Sequence, residues 1–245
     1  VRIAVAGVTG VVGSYVGQVA QERGHEVVGL ARSLGVDLTS GAGLAERLDG
    51  VDAVVDVTST PAQRRRDAEA FFGGVTRHLL AAEQDAGVGH HVALSIVGID
   101  RVPTGYYQGK LLQEQVVAAG AVPWSILRAT QFHEFAQQAL GFVRVGPLSL
   151  VPCMLSQPIA AVEVAHALVD LVEAGPAGRV DDLAGPEVHQ ITDLARRVSQ
   201  ARGLRRRVVP VRLPGAAGAA MRGGGLLPVM DAPRGTLAFD TWLAT

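Results

Sequence analysis

The stretch Arg2-Ile3-Ala4-Val5-Ala6-Gly7-Val8-Thr9-Gly10-Val11-Val12-Gly13 decides the fold. It begins as a short β-branched apolar run, Ile3 to Ala6, which reads as a buried parallel strand. It continues into three glycines spaced three apart, Gly7, Gly10 and Gly13, which open a segment of helical periodicity from Val11 to Arg23. Glycine belongs where the backbone turns sharply, and where amides must approach a pyrophosphate with no Cβ in the way. A helix starting at that point adds the positive end of its dipole. At a strand–helix junction the pattern predicts a dinucleotide-binding loop made of Gly7, Thr9, Gly10, Val11, Val12 and Gly13.

Outward from that loop the same alternation repeats. Strands are predicted at Glu26 to Ala31, Ala53 to Val57, His91 to Ser95 and Trp124 to Leu127. Helices are predicted over Ala62 to Ala86, with Phe72, Val75, Leu79 and Ala82 on one stripe, and over Tyr106 to Ala119. The fold class is therefore α/β, a doubly wound parallel (Rossmann) sheet that binds ligands at the carboxyl ends of its strands. After Phe142 prolines and glycines break the rhythm. Helices are expected at Ala161 to Ala174 and Ile191 to Arg202, and strands at Arg179 to Leu183 and Val208 to Arg212. We expect residues 1–142 to form the nucleotide-binding domain. Residues 143–245 should form a small C-terminal α/β substrate lobe, packed on the same fold and not independent. The Gly- and Ala-rich tail from Pro214 to Pro228 predicts little structure before a short helix around Trp242.

Composition narrows the function. With 22 basic and 23 acidic residues the net charge is −1, which leaves no basic surplus for broad nucleic-acid binding. Cys153 is the single cysteine, so no internal disulfide forms and a reducing compartment fits. The uncharged run after Arg144 is broken by Pro147, Pro152 and Pro158, so no membrane span is expected there. No targeting pattern is evident at the start of the chain, so cytoplasmic localisation is expected. His90-His91 and His133-Glu134 lack companions at ligand spacing, so no metal is expected. The sequence is compatible with a monomer or a homodimer.

Two features bear on chemistry. The second predicted strand ends Leu30-Ala31-Arg32-Ser33, without the carboxylate that would hold a ribose diol. Arg32 can pair with a 2′-phosphate and Ser33 can donate to it, which favours NADP(H) over NAD(H). Arg32 as a plain solvated turn residue is the alternative. Tyr106 and Lys110, in YYQGK, share one helical face a turn apart, downstream of Ser95 at a strand end. A free tyrosine titrates near pH 10, and a neighbouring ammonium lowers that value. Tyr107 shares a face with Lys110 as well, and is the rival proton donor.

The glycine spacing, with Thr9 inside it, resembles the short-chain dehydrogenase/reductases. Together with LSIVGID, YYQGKLLQE, ILRATQFHEF, AVEVAHALVDLVE and DDLAGPE, it resembles their NmrA-like, atypical branch over about Val1 to Leu213. The resemblance implies that Asp37-Leu38 contacts adenine and that Thr58-Ser59 passes the cofactor ribose. It also implies a catalytic set: Ser95 would bond the substrate oxygen, Tyr106 would move its proton, and Lys110 would hold the ribose hydroxyls. The apolar and aromatic residues Val97, Tyr107, Phe132, His133, Phe135 and Met154 are the expected pocket walls. The implied function is NADP(H)-dependent reduction of a small carbonyl or quinone-like substrate. The alternatives are a non-catalytic NADP(H)-binding regulator and a sugar-nucleotide epimerase or dehydratase.

Overall fold

A computed structural model describes residues 1–229 and 232–245. The first part of the chain runs β1 (Arg2–Ala6), α1 (Val11–Glu22), β2 (Glu26–Leu30), α2 (Leu44–Leu48), β3 (Ala53–Asp56), α3 (Arg65–Ala86), β4 (His90–Ile96), α4 (Gly105–Ala119) and β5 (Trp124–Ala129). There follow α5 (Phe135–Phe142), β6 (Val143–Val145), β7 (Leu148–Pro152), β8 (Leu155–Ser156), α6 (Ala161–Ala174) and β9 (Gly178–Arg179). The chain closes with β10 (His189–Gln190), α7 (Ile191–Ala201), β11 (Arg207–Val211), α8 (Gly215–Arg222) and α9 (Phe239–Leu243).

The chain forms two compact units. The first comprises Val1–Ser95, Thr104–Arg128 and Val162–Asp181. Its sheet has the order β2-β1-β3-β4-β5-β9, with β1 parallel to both β2 and β3. Ile3, Ala4, Val5 and Ala6 are wholly buried, as a central parallel strand covered on both faces requires. A cluster of Val28, Leu30, Leu44, Val54, Val75 and Leu79 forms one layer of core. Helix α3 stops at Gly87, whose φ of 73° is the left-handed C-terminal turn. Thr104 caps α4, its hydroxyl accepting from the Tyr107 amide at 3.2 Å. Because β1 has β2 on one side and β3 on the other, successive crossovers leave it in opposite directions. The crevice outside the carboxyl ends of β1 and β3 is the topological switch point.

The second unit comprises Ile96–Pro103, Ala129–Ala161 and Asp182–Thr245. It holds a three-stranded sheet, β11-β7-β6, in which β11 is parallel and β6 antiparallel to β7, and a small antiparallel pair, β10-β8. Helix α7 buries Ile191, Leu194, Ala195 and Val198, the i, i+3, i+4, i+7 stripe of an amphipathic helix.

The division differs from the single cut expected after residue 142. Helix α6 and β9 continue the strand–helix alternation: β9 pairs in parallel with β5, and Asp170 and Glu173 of α6 bind Arg23 at 2.6 and 2.9 Å. They therefore fold with the sheet, whereas the segments that follow β4 and β5 fold with the second unit. Among the described residues, no helix is long and apolar enough to cross a membrane.

Candidate active site

At the end of β1 the chain turns through Gly7 at a φ of +86°, a region L side chains rarely adopt, and its amide donates to Leu30 O at 3.2 Å. The Gly10 amide donates back to Gly7 O at 2.9 Å, and the Ser14 amide to Gly10 O starts α1. A Cβ on Gly13 would lie 2.1 Å from Gly7 O, and one on Gly7 would lie 3.1 Å from Val57 O at the end of β3. The loop is thus pressed against both the helix and the neighbouring strand. Gly10, the N-cap of α1, supplies no side-chain cap to the first-turn amides. Thr9, Gly10 and Val11 are exposed while Val12 and Gly13 are buried. Free amides at the positive end of a twelve-residue helix, beside a turn without Cβ atoms, fit the diphosphate of a dinucleotide.

Beyond β2, residues Arg32–Leu34 form one turn of 3-10 helix. The Arg32 guanidinium is 75% exposed and its Nε lies 3.5 Å from Asp37 Oδ1. That same oxygen accepts from the Thr39 hydroxyl at 2.6 Å and the Thr39 amide at 3.0 Å. These bonds, with a smaller contribution from Arg32, hold the Asp37 carboxyl below its ordinary range. Asp37 therefore closes its own turn, and Leu38 packs against the core cluster of the sheet. Ser33 is exposed beside Arg32.

The three groups expected to work together take different surroundings. Lys110 is buried, and its Nζ donates to Leu94 O at 2.6 Å and to Gln113 Oε1. Gln113 Nε2 donates in turn to Asp56 Oδ2 at 2.7 Å, while Asp56 Oδ1 accepts from the Thr58 amide at 2.9 Å. The ammonium also stands 4.9 Å over the Phe72 ring. Burial pulls the Lys110 pKa down to about 8, against the opposing pull of Asp56 and Glu114. Tyr106 shares a 3.0 Å hydrogen bond with Ser59 Oγ, and its ring meets Phe72 and Tyr107 edge-on. The expected lowering of the tyrosine pKa is therefore corrected: burial raises it, and the bond from Ser59 offsets this only in part. Ser95 is 3% exposed, and among the described residues its Oγ has no hydrogen-bond partner. The chain Lys110–Gln113–Asp56 had one signal in the sequence, the i, i+3 spacing of Lys110 and Gln113. Nothing local pointed to Asp56.

Five of the expected pocket residues belong to the second unit. Val97, His133 and Met154 are buried there, and Phe132 and Phe135 are half-buried. His133 Nε2 bonds Leu237 O at 2.9 Å, and its ring packs against those of Phe239 and Trp242, which also touch each other. Phe135 stacks edge-on with Phe142. Tyr107 lies in the first unit beside Tyr106.

A model of an NAD(P)H-binding family matches residues 7–174. No curated protein matches the chain in sequence. Among solved structures, an NADPH-dependent quinone oxidoreductase of Escherichia coli, determined with NADPH, superposes with a TM-score of 0.71 at 19% identity, covering 99% of this chain and 98% of its own. MoeE5 in complex with UDP-glucuronic acid and NAD superposes with a TM-score of 0.73 at 16% identity, covering 100% and 97%. The UDP-N-acetylglucosamine 4-epimerase of Bacillus cereus gives 0.65 at 17% identity, covering 98% and 99%. At such identities the likeness is one of fold, and it accords with the resemblance to NmrA-like short-chain dehydrogenase/reductases.

Proposed function

This chain belongs to the NAD(P)H-binding family, and from that premise we propose that it is an NADP(H)-dependent oxidoreductase reducing a small carbonyl or quinone-like compound. The observation that carries this reading is the place of the Tyr106 hydroxyl. It is held by Ser59, the residue after Thr58, and a Cβ on Gly7 of the nucleotide loop would come 3.3 Å from Thr58 Cα. A proton-bearing group is thereby tied to the strand end that abuts the cofactor loop. The phenol is protonated at neutral pH and so has a proton to give to a substrate oxygen, although burial, by raising its pKa, makes it a weaker acid than a free tyrosine. NADPH, when bound, supplies the hydride. Ser59 is exposed, so its hydroxyl can pass a proton from solvent back to Tyr106. The unpartnered Ser95 Oγ is the group that would bond the substrate oxygen. Arg32 and Ser33, with no carboxylate ending β2, support NADP(H) over NAD(H). In this reading Lys110 acts from the interior, holding α4 to β4, and leaves the ribose hydroxyls to other groups.

One observation favours a second reading, a dinucleotide-binding regulator: Ser95 and Lys110 make no hydrogen bond to Tyr106. Steady NADPH oxidation with quinones or aromatic aldehydes separates the two. Tyr106→Phe should lower kcat by at least about 100-fold, the usual worth of a general acid, with NADPH affinity unchanged. If Tyr107→Phe is inactive instead, the donor is the neighbouring tyrosine. Tight NADPH binding with no turnover would establish the regulator. Conversion of a UDP-sugar without net NADPH oxidation would establish an epimerase.

A further inference from the structure

Residues 194–229 contain eight arginines and neither Asp nor Glu, although the chain as a whole is nearly neutral. Four of these arginines, Arg196, Arg205, Arg206 and Arg207, line a concavity of about 520 Å³ in the second unit, where α7 ends and β11 begins. Ser199 and Gln200 complete its polar wall, and among the described residues no carboxylate lines it. We propose that this concavity is a binding site for a small oligoanion carrying two or more phosphate groups, separate from the nucleotide loop.

The arginines are arranged as fixed cations. Arg206 is locked by three neutral acceptors: Nε donates to Ser149 Oγ at 3.0 Å, Nη1 to Gly146 O at 2.9 Å and Nη2 to Leu148 O at 2.7 Å. Its geometry is set, yet its charge is not neutralised. Arg196 is steadied by Asp193, which lies outside the lining. Among the described residues no carboxylate pairs with Arg205, Arg206 or Arg207. Arg205 is held at a φ of +51°, a left-handed conformation that strains any residue bearing a Cβ. Nor are the arginines needed to finish α7. The carbonyls of Val198, Ser199 and Gln200 already accept from the amides of Arg202, Leu204 and Gly203. Like charges gathered around one hollow repel one another unless an anion sits among them. Guanidinium groups pair with phosphate oxygens in a bidentate manner, and the volume falls within the range of small-ligand sites rather than that of a polymer groove.

The test is calorimetric titration of the full chain with inorganic tripolyphosphate at low salt, in saturating NADPH so that the glycine loop is filled. Binding should persist with NADPH present and weaken steeply with added salt. Arg205→Ala with Arg207→Ala, both exposed positions, should weaken it at least ten-fold while leaving the NADPH titration unchanged. Arg205→Gly should also weaken it without lowering Tm, because glycine relieves the left-handed strain; a merely structural Arg205 would leave the anion affinity alone. Binding abolished by NADPH would place the anion in the nucleotide loop and overturn the proposal. Equal affinity in the double variant, or tighter binding of a single-stranded oligonucleotide than of tripolyphosphate, would overturn it as well.

Discussion

Arg32 and Asp37 stand 3.5 Å apart just beyond β2, and the proposed preference for NADPH rests on this pair. Asp37 is already bound by Thr39, so Arg32 can turn to a 2′-phosphate without stripping the carboxylate of its partners. Arg32→Ala should weaken NADPH by roughly ten-fold at low salt, the worth of one charge-assisted bond. NADH binding should stay within about two-fold under the same conditions, since that cofactor has no 2′-phosphate for Arg32 to pair with. Fluorescence titrations with both cofactors check this, and equal losses would make Arg32 a surface residue. Lys110 gives a different kind of prediction. Its ammonium offsets the buried Asp56 carboxylate through Gln113, so Lys110→Met removes that compensation. The single variant should lose about 3 kcal/mol of stability, and Lys110→Met with Asp56→Asn should recover most of it. Denaturant melts of the three proteins measure both effects.

Along the elements, the nucleotide loop makes the sharpest demand. A methyl group on Gly13 would lie 2.1 Å from Gly7 O, a backbone atom that cannot move without dislodging β1 or α1. On Gly10 the corresponding distance is 3.3 Å, close but open to a small shift. Gly13→Ala should therefore abolish NADPH binding and lower Tm, while Gly10→Ala should reduce affinity only modestly. A tryptophan-fluorescence titration beside a melt distinguishes them, and equal tolerance at both positions would mean that the loop relaxes. The strands up to β5 and helices α1, α3 and α4 were legible because periodicity and β-branched runs are local signals, whereas the five-residue α2 is too short to show a period. Helix α8 was not legible either. GAAGAAMR carries two glycines that each cost a helix about 1 kcal/mol, so the segment reads as loop. The structure gives Gly218 a packing reason instead: a Cβ there would lie 2.0 Å from Leu213 O. Helix α5 was likewise hidden, since Phe132 to Phe135 read as pocket wall rather than as the approach to a helix.

For the molecule as a whole, adjacent histidines in β4 set opposing pH dependences. His90 Nε2 bonds Ser125 Oγ at 2.8 Å, and burial, with the charge of His91, lowers its pKa to about 4. The unfolded chain takes that proton near pH 6.5, so His90 costs stability progressively as pH falls from about 6.5 towards 4. Burial also opposes charge on His91, but Glu83, bonded at 2.9 Å, and then Asp56 outweigh it and raise the pKa. That contribution is complete below about pH 6.5 and is lost as pH rises through the folded value. His90→Gln should thus flatten the fall in Tm between about pH 6.5 and 4, whereas an unchanged acid limb would assign it to other groups. At this scale the sequence by itself determined the Rossmann architecture and the family. Glycine spacing and apolar periodicity are contained within short stretches of chain, so their meaning survives without three dimensions. Only the tertiary structure decided that Lys110 turns inward to Leu94 and Gln113, that Tyr106 rests on Ser59, and that α6 folds with the sheet. Tyr106 finds Ser59 47 positions away, and Gln113 finds Asp56 57 positions away. The direction of a buried polar side chain is fixed by whichever distant partner can satisfy it, and helical spacing alone carries no trace of that partner.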